Sequence, residues 1–157
     1  MIASVHILTS AALSKGIDNI YILPFAALAL HFLVDMIPHY DYRPFEEISP
    51  KKSVFLIIAD NLFGVFAVFL LSYFNNWNFA EYYAASVAIF FGLLPDILSK
   101  SFKLFILKEN KYAVAFRAFH KKLHLVFIDY FITDFHKGFY QQVAVSTISI
   151  IVLLYAA

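Results

Sequence analysis

The sequence predicts an all-α protein: an integral membrane helical bundle of four to five transmembrane helices plus an amphipathic helix. Hydrophobic residues make up 62% of the 157 residues and charged residues 15%, against about 45–50% and about 25% in soluble domains. The apolar residues also fall in long runs between short polar stretches. A soluble domain of this size keeps too much of its surface in water to bury so many apolar side chains. We therefore expect residues 1–157 to form a single membrane-embedded domain.

Five apolar segments are candidate membrane spans: residues 2–13, 20–37, 53–74, 79–98 and 139–155. Crossing about 30 Å of hydrocarbon takes about 20 helical residues, so the first segment either spans obliquely or lies inside the bundle. Pro24 falls near the start of the second segment, in the first helical turn or at a kink. The second half of the polar region 100–137 carries aromatic residues at helical spacing, which predicts the amphipathic helix.

Composition also excludes several kinds of site. The chain has no cysteine, which excludes disulfides, thiolate metal ligands such as those of zinc ribbons, and a cysteine nucleophile. Any metal must therefore be bound by imidazole and carboxylate groups. The net charge of +1 gives no indication of a nucleic-acid partner, and none is expected. The N-terminus lacks a basic stretch and a small-residue cleavage site, so a removed signal peptide is not expected.

The basic residues predict the orientation of the chain. If the last four spans alternate in direction, loops 39–52 and 99–138 lie on the same side of the membrane. These two loops hold eleven of the twelve Lys and Arg residues, and Lys15 is left on the other side. Because loops rich in Lys and Arg remain in the cytoplasm, the side with these eleven basic residues is expected to be cytoplasmic.

The His and Asp residues within the spans lie close to that cytoplasmic side, whereas Glu81 begins the fourth span at the other side. None of the five is more than about seven helical residues, or about 10 Å, from the expected surface. Each such residue costs at least about 2.5–3.5 kcal/mol on insertion, and spans two to four contain no Lys or Arg to compensate it. A divalent cation would satisfy imidazoles and carboxylates together. The five residues are His6, His31, Asp35, Asp60 and Asp96.

Helical spacing extends this candidate metal site. His31 and Asp35 are four residues apart, so one helix face presents both side chains. His120 and His124 repeat that spacing on the amphipathic helix. Seven N and O ligands exceed what one tetrahedral zinc requires, which favours two ions, with zinc expected and Mn or Mg as alternatives. The candidate metal ligands are His6, His31, Asp35, Asp60, Asp96, His120 and His124.

Simpler roles remain open for individual members of this set. Asp60, next to Asn61, would also serve as a hydrogen-bonding residue between helices. Asp96 would also cap a helix or mark a helix interface. His120 and His124, which flank two lysines, would also form part of an interfacial basic face.

Three sequence elements resemble a known family. Residues 30–41 read Leu-His-Phe-Leu-Val-Asp-Met-Ile-Pro-His-Tyr-Asp, residues 92–96 read Gly-Leu-Leu-Pro-Asp, and a histidine pair follows at 120 and 124. Together they resemble the small membrane-bound metal-dependent hydrolases typified by the LexA-regulated inner-membrane hydrolases of bacteria, which are distantly similar to zinc-dependent phospholipase C. His6 matches an early histidine of that family. This sequence departs from the family pattern in two ways. The His-x-x-x-Asp element comes first here, and the residues Arg-Gly-Phe-Thr that usually separate the two histidines of the pair are missing.

The resemblance implies a multi-pass inner-membrane protein with a bound divalent metal. Together with the clustered residues, it leads us to expect a hydrolase that cleaves a phosphoester of a lipid or lipid-linked substrate at the cytoplasmic face by a metal-activated water. His39 and Asp41, at the mouth of the site, are candidate catalytic residues, as outer ligands or proton shuttles. Lysines within 100–122 would attract an anionic lipid headgroup from the bilayer.

Other functions remain alternatives at this stage. A divalent cation or proton transporter also uses membrane His and Asp residues, but the far halves of the spans carry no charge other than Glu81 at the start of the fourth. An intramembrane metalloprotease would carry a His-Glu-x-x-His element, which is missing from the sequence. A non-enzymatic membrane protein with a structural metal site is equally compatible with these residues. The sequence predicts no particular oligomeric state.

Overall fold

The computed structural model describes residues 2–37, 39, 50–104, 111–128 and 135–155. Within these ranges every regular element is a helix and there is no strand, which confirms the all-α prediction. The helices are α1 (Ala3–Ser14), α2 (Leu23–Met36), α3 (Pro50–Phe74), α4 (Phe79–Leu104), α5 (Lys111–Ile128) and α6 (Phe135–Tyr155).

Three of the described helices are long and apolar enough to cross a membrane. Their apolar stretches are Val54–Phe74, Phe79–Ser99 and Gly138–Tyr155, of 21, 21 and 18 residues. The helices α1 and α2 are apolar but shorter. Pro24 lies in the first turn of α2, where the missing N–H would have no helical partner in any case. The α4 helix continues through Pro95 to Leu104, beyond the predicted end at residue 98, because an internal proline removes one backbone hydrogen bond and need not end a helix.

Helix α1 lies at the centre of the bundle. It packs against α2, α3, α4 and α6, and its residues 4–11 are all buried. Ile7, Leu8 and Ala11 form one core cluster with apolar residues of α3, α4 and α6. Thr9 is buried as well, and its hydroxyl donates to the Val5 carbonyl at 2.9 Å. Of the two alternatives for this segment, an oblique span or a helix inside the bundle, the packing of α1 fits the second.

Two glycines bring the long helices close to α1. A Cβ on Gly64 of α3 would lie 2.8 Å from the Cα of Ser4 and 2.9 Å from the Cδ1 of Ile7. A Cβ on Gly92 of α4 would overlap the Oγ of Ser10. Because real Cβ atoms do not approach backbone atoms this closely, the helices meet at these positions only where the side chain is missing.

Replacing Gly64 with alanine is expected to destabilise the bundle by about 1–3 kcal/mol, since the added methyl must displace the α1 backbone. Alanine has a helix propensity about 1 kcal/mol more favourable than that of glycine. A net loss in the free energy of unfolding would therefore come from the steric clash with α1. The measurement is the free energy of unfolding of the detergent-solubilised protein, followed by circular dichroism. Gly16→Ala is the control, because its Cβ would meet nothing closer than 3.7 Å. Equal stability of the two variants would contradict the close approach of α3.

The end of the bundle opposite His6 has its own polar contacts. Asn78 and Glu81 form a capping box at the start of α4: the Asn78 side chain accepts from the Glu81 N–H at 3.1 Å, and Glu81 accepts from the Asn78 N–H at 2.7 Å. The Lys15 Nζ lies 2.6 Å from the Glu81 carboxylate and 5.3 Å from the centre of the Trp77 ring. These contacts tie the end of α1 to the α3–α4 turn.

Candidate metal centre

Three helices bring four potential ligands to one point. The α2 helix provides His31 and Asp35 one turn apart, with side chains 0% exposed. The α5 helix packs against α2 and α4 and provides His120, whose side chain is 5% exposed. Asp96 follows Pro95 on α4. One ligand atom from each of the four residues lies within 4.8 Å of all the others. We call these four residues the His-Asp centre.

Three atoms of the centre form a nearly equilateral triangle. The Nε2 atoms of His31 and His120 are 3.2 Å apart. The Oδ2 of Asp35 lies 3.1 Å from the first and 3.0 Å from the second. Ligands about 2.0–2.1 Å from a tetrahedral zinc are about 3.3 Å from one another. The triangle therefore has the dimensions of one face of a tetrahedral metal site.

Asp96 is the loosest and most accessible member of the centre. Its Oδ1 lies 3.9 Å from the Nε2 of His120, and its side chain is 13% exposed. The other three side chains are at most 5% exposed. Water or a substrate would therefore reach the centre most readily beside Asp96.

His6 holds the carboxylate of the centre from behind. Its Nε2–H donates to the Oδ1 of Asp35 at 3.0 Å, which leaves Oδ2 directed at the two imidazoles of the triangle. The His6 ring also stacks on His31, with ring centroids 4.3 Å apart. Hydrogen bonds of this kind orient metal-binding carboxylates and histidines. The structure thus brings His6 to the centre, as predicted, but as a partner of Asp35 outside the group of four.

Charge balance is a test of whether a metal fits this site. The two carboxylates contribute a charge of −2, and the three imidazoles that face them are neutral unless protonated. Burying such charges without compensation is unfavourable, whereas a divalent cation makes the whole group neutral. The Nδ1 atoms of His6 and His31 are buried without a hydrogen-bond partner among the described residues. The donor set, its spacing and its charge all fit a single divalent ion.

The structure places Asp60 elsewhere. Its Oδ2 accepts a hydrogen bond from the backbone N–H of Ser4 at 3.2 Å. Ser4 lies in the first turn of α1, where backbone N–H groups have no helical partner and negative charge is favourable. This contact fits the alternative in which Asp60 is a hydrogen-bonding residue between helices.

The remaining candidates are placed only in part. His39 is buried just beyond the end of α2, and its Nδ1–H donates to the Ile37 carbonyl at 2.7 Å, which fixes the orientation of the ring. Asp41 and the side chain of His124 lie outside the described residues. Their proposed roles as shuttle and ligand stay predictions.

Two phenylalanines pack against the histidines of the centre, a role that the sequence did not predict for them. Phe32 contacts both His31 and His120 edge-on, with centroid distances of 5.3 and 5.9 Å. Phe119 in turn packs against Phe32 at 5.7 Å. The signal was present, since each histidine of the centre has a Phe as a chain neighbour. These rings form an apolar wall, which strengthens electrostatic interactions inside the centre.

Chemically, the centre directs imidazole nitrogens and carboxylate oxygens at one point inside apolar helices. Imidazole ligands favour zinc and similar transition metals, whereas magnesium favours oxygen ligands alone. No protein-family model, curated protein or solved structure matches this chain.

Proposed function

We propose that this protein is a membrane-embedded hydrolase that uses a divalent metal, zinc, to cleave a phosphoester of a lipid or lipid-linked substrate. The observation that carries the proposal is the His-Asp centre: four ionisable residues with convergent ligand atoms, buried within apolar helices. Ionisable residues in such surroundings mark functional sites by default. The resemblance of residues 30–41 and 92–96 to inner-membrane metal-dependent hydrolases supports the same class.

The outer surface of the bundle supports membrane embedding. Three helices have the length and hydropathy to cross a bilayer. Large apolar side chains on α3 are mostly exposed, such as Phe55 at 68%, Leu62 at 64% and Phe66 at 58%. Soluble monomers rarely expose apolar patches of this extent, and lipid would cover them. We place the protein in the cell inner membrane, with the centre on the cytoplasmic side.

The geometry favours one ion rather than two. A catalytic zinc has three protein ligands and one open position, and the triangle of His31, Asp35 and His120 supplies three. Asp96 then lies beside the open position, on the accessible side, where its carboxylate would accept a proton from water. A metal bound there would activate that water and polarise a phosphoryl oxygen.

The residues around the mouth suit an anionic substrate. Lys121 and Lys122 are exposed and directly follow His120 on α5. Basic side chains near a membrane surface attract anionic headgroups by about 1 kcal/mol each. His39, held by its bond to Ile37, and Asp41 are the candidates for proton shuttling between the centre and solvent.

A structural metal site is the second candidate function. The observation that favours it is burial: His31 and Asp35 have side chains 0% exposed, and four protein ligands in a closed site are typical of structural zinc. In that case Asp96 would complete the ligand set, and the ion would clamp α5 onto α2 and α4.

Metal removal tests the proposal against this alternative. The purified protein in lipid nanodiscs is expected to contain about one zinc per chain and to release phosphate or a phosphorylated headgroup from lipid. A chelator should abolish turnover, and added zinc should restore it. Zinc bound without turnover on any phospholipid class would favour the structural role. A protein that binds no divalent metal would contradict both.

A further inference from the structure

A groove runs along the bundle between α1, α2 and α6. Its volume is about 470 Å³, within the range of about 300–1,000 Å³ that is typical of small-molecule sites. Leu13 of α1, Leu30 and Val34 of α2, and Ile148 and Val152 of α6 are among its lining residues. The groove lies outside the His-Asp centre and shares none of its residues.

The groove offers almost nothing to a polar ligand. Two hydroxyl groups line it, those of Thr9 and Ser149. The Thr9 hydroxyl donates to the Val5 carbonyl at 2.9 Å, and the Ser149 hydroxyl donates to the Val145 carbonyl at 2.9 Å. Because both protons are already used within their own helices, the surface facing the groove is essentially hydrocarbon. An occupant would be held by apolar contact.

One end of the groove reaches the level of the centre. Leu30 and Val34 directly precede His31 and Asp35 along α2, and Thr9 follows His6 by three residues on α1. From Thr9 the lining continues to Gly16, which is about 10 Å along the helix axis. A molecule lying in the groove would therefore begin beside the centre and extend away from it.

The size and lining of the groove indicate what it can hold. Its volume of about 470 Å³ extends over about 10 Å of α1, and its lining is apolar. An extended hydrocarbon chain, which has no polar group to satisfy, matches such a surface. We propose that this groove binds one hydrocarbon chain of the lipid substrate. The position of the headgroup at the His-Asp centre rests on the function proposed above.

Photolabelling of the full chain tests this assignment. The metal-depleted protein is reconstituted into vesicles of phosphatidylglycerol with a small fraction of a phospholipid that carries a diazirine near the middle of one acyl chain. Labelled residues are then located by mass spectrometry. We expect labelling concentrated on groove residues of α1, such as Leu13. Ile148→Trp fills part of the groove and should reduce the labelling of α1 about tenfold. A loss of this size corresponds to two methylenes of the bound chain that are no longer buried.

Ile151→Trp is the matched control, because Ile151 lies on the same helix, is 50% exposed and does not line the groove, whereas Ile148 is 62% exposed. It should leave the labelling of α1 unchanged. Val152→Trp fills the groove from the same side and serves if Ile148→Trp does not fold. Labelling that follows exposure over the surface of α3 and is equal in all variants would indicate annular lipid and overturn the proposal.

Zinc binding by the same variants separates the two proposals. All three tryptophan variants are expected to bind zinc as the wild type does, because none of the three residues belongs to the centre. Normal zinc binding and turnover without groove labelling would overturn the chain site and leave the hydrolase intact. Groove labelling in a protein that binds no zinc would retain the chain site and overturn the hydrolase.

Discussion

Replacing Asp35 with asparagine is expected to lower zinc affinity by more than about 100-fold, because even residues that only support a metal ligand are worth about 10–100-fold. The carboxylate of Asp35 contacts three imidazoles, through Oδ1 to His6 and Oδ2 to His31 and His120. Asparagine keeps the shape but removes the negative charge. Isothermal titration calorimetry and the metal content of the purified protein measure the effect.

The effect on stability sharpens this prediction. Zinc at about 100 times its dissociation constant should stabilise the wild type by about 2.7 kcal/mol, and the Asp35→Asn variant should gain none of this. Without zinc, the variant should be no less stable than the wild type, since it removes a buried negative charge that no cation then compensates. Thermal unfolding with and without zinc separates loss of metal binding from misfolding.

Asp60→Asn is the matched control. Asp60 is an acidic residue of the same half of the bundle, but its carboxylate bonds to the Ser4 backbone at the start of α1. This variant should keep the zinc affinity of the wild type and lose some stability without zinc. Wild-type zinc affinity in Asp35→Asn, or equal losses of affinity in both variants, would contradict the assignment of the His-Asp centre.

The position along the helices was enough to predict three of the four members of the centre, whereas His120 was predicted from its spacing to His124 and from the family resemblance. Each residue advances a helix by about 1.5 Å, so the number of residues from a predicted end gives the depth of a side chain. His31, Asp35 and Asp96 share a depth by this measure, and the structure brings them together. The four-residue spacing of His31 and Asp35 also gives their common face.

The position of a residue along its helix does not determine the direction in which its side chain points around that helix. Asp60 has nearly the depth of the others, but α3 packs against α1 and α6, so Asp60 meets the start of α1. That order of helices depends on close approaches such as the one at Gly64, and nothing in the spacing of apolar residues predicts it. Because α3 is apolar on nearly all sides, it lacks the amphipathic pattern that usually indicates the buried face of a helix.

The helix boundaries were also predictable from the sequence only in part. The turn at 75–78 follows from local polar residues, whereas α2 begins at Leu23, three residues after the predicted start at residue 20. The continuation of α4 past Pro95 depends on tertiary packing, since α4 contacts α1, α2 and α5. The groove was not predicted, because it forms where α6 packs beside α1 and α2, which are far from it in the chain.

Asp96→Asn tests whether the centre is catalytic. If Asp96 accepts a proton from water beside the open position, turnover should fall by about 10²–10⁴-fold, the usual contribution of a positioned general base. Zinc affinity should fall less than in Asp35→Asn, because Oδ1 of Asp96 is 3.9 Å from the Nε2 of His120, whereas the triangle distances are 3.0–3.2 Å.

The comparison of kcat with zinc affinity across the two variants decides the role of Asp96. A loss of affinity as large as that of Asp35→Asn would make Asp96 the fourth ligand of a closed site and favour the structural metal. Unchanged turnover would remove Asp96 from the chemistry and leave His39 and Asp41 as candidates for the base. Turnover lost with affinity nearly retained is the outcome that requires a carboxylate beside an open metal position. The 13% exposure of the Asp96 side chain, against 0% for Asp35, is the structural reason to expect it.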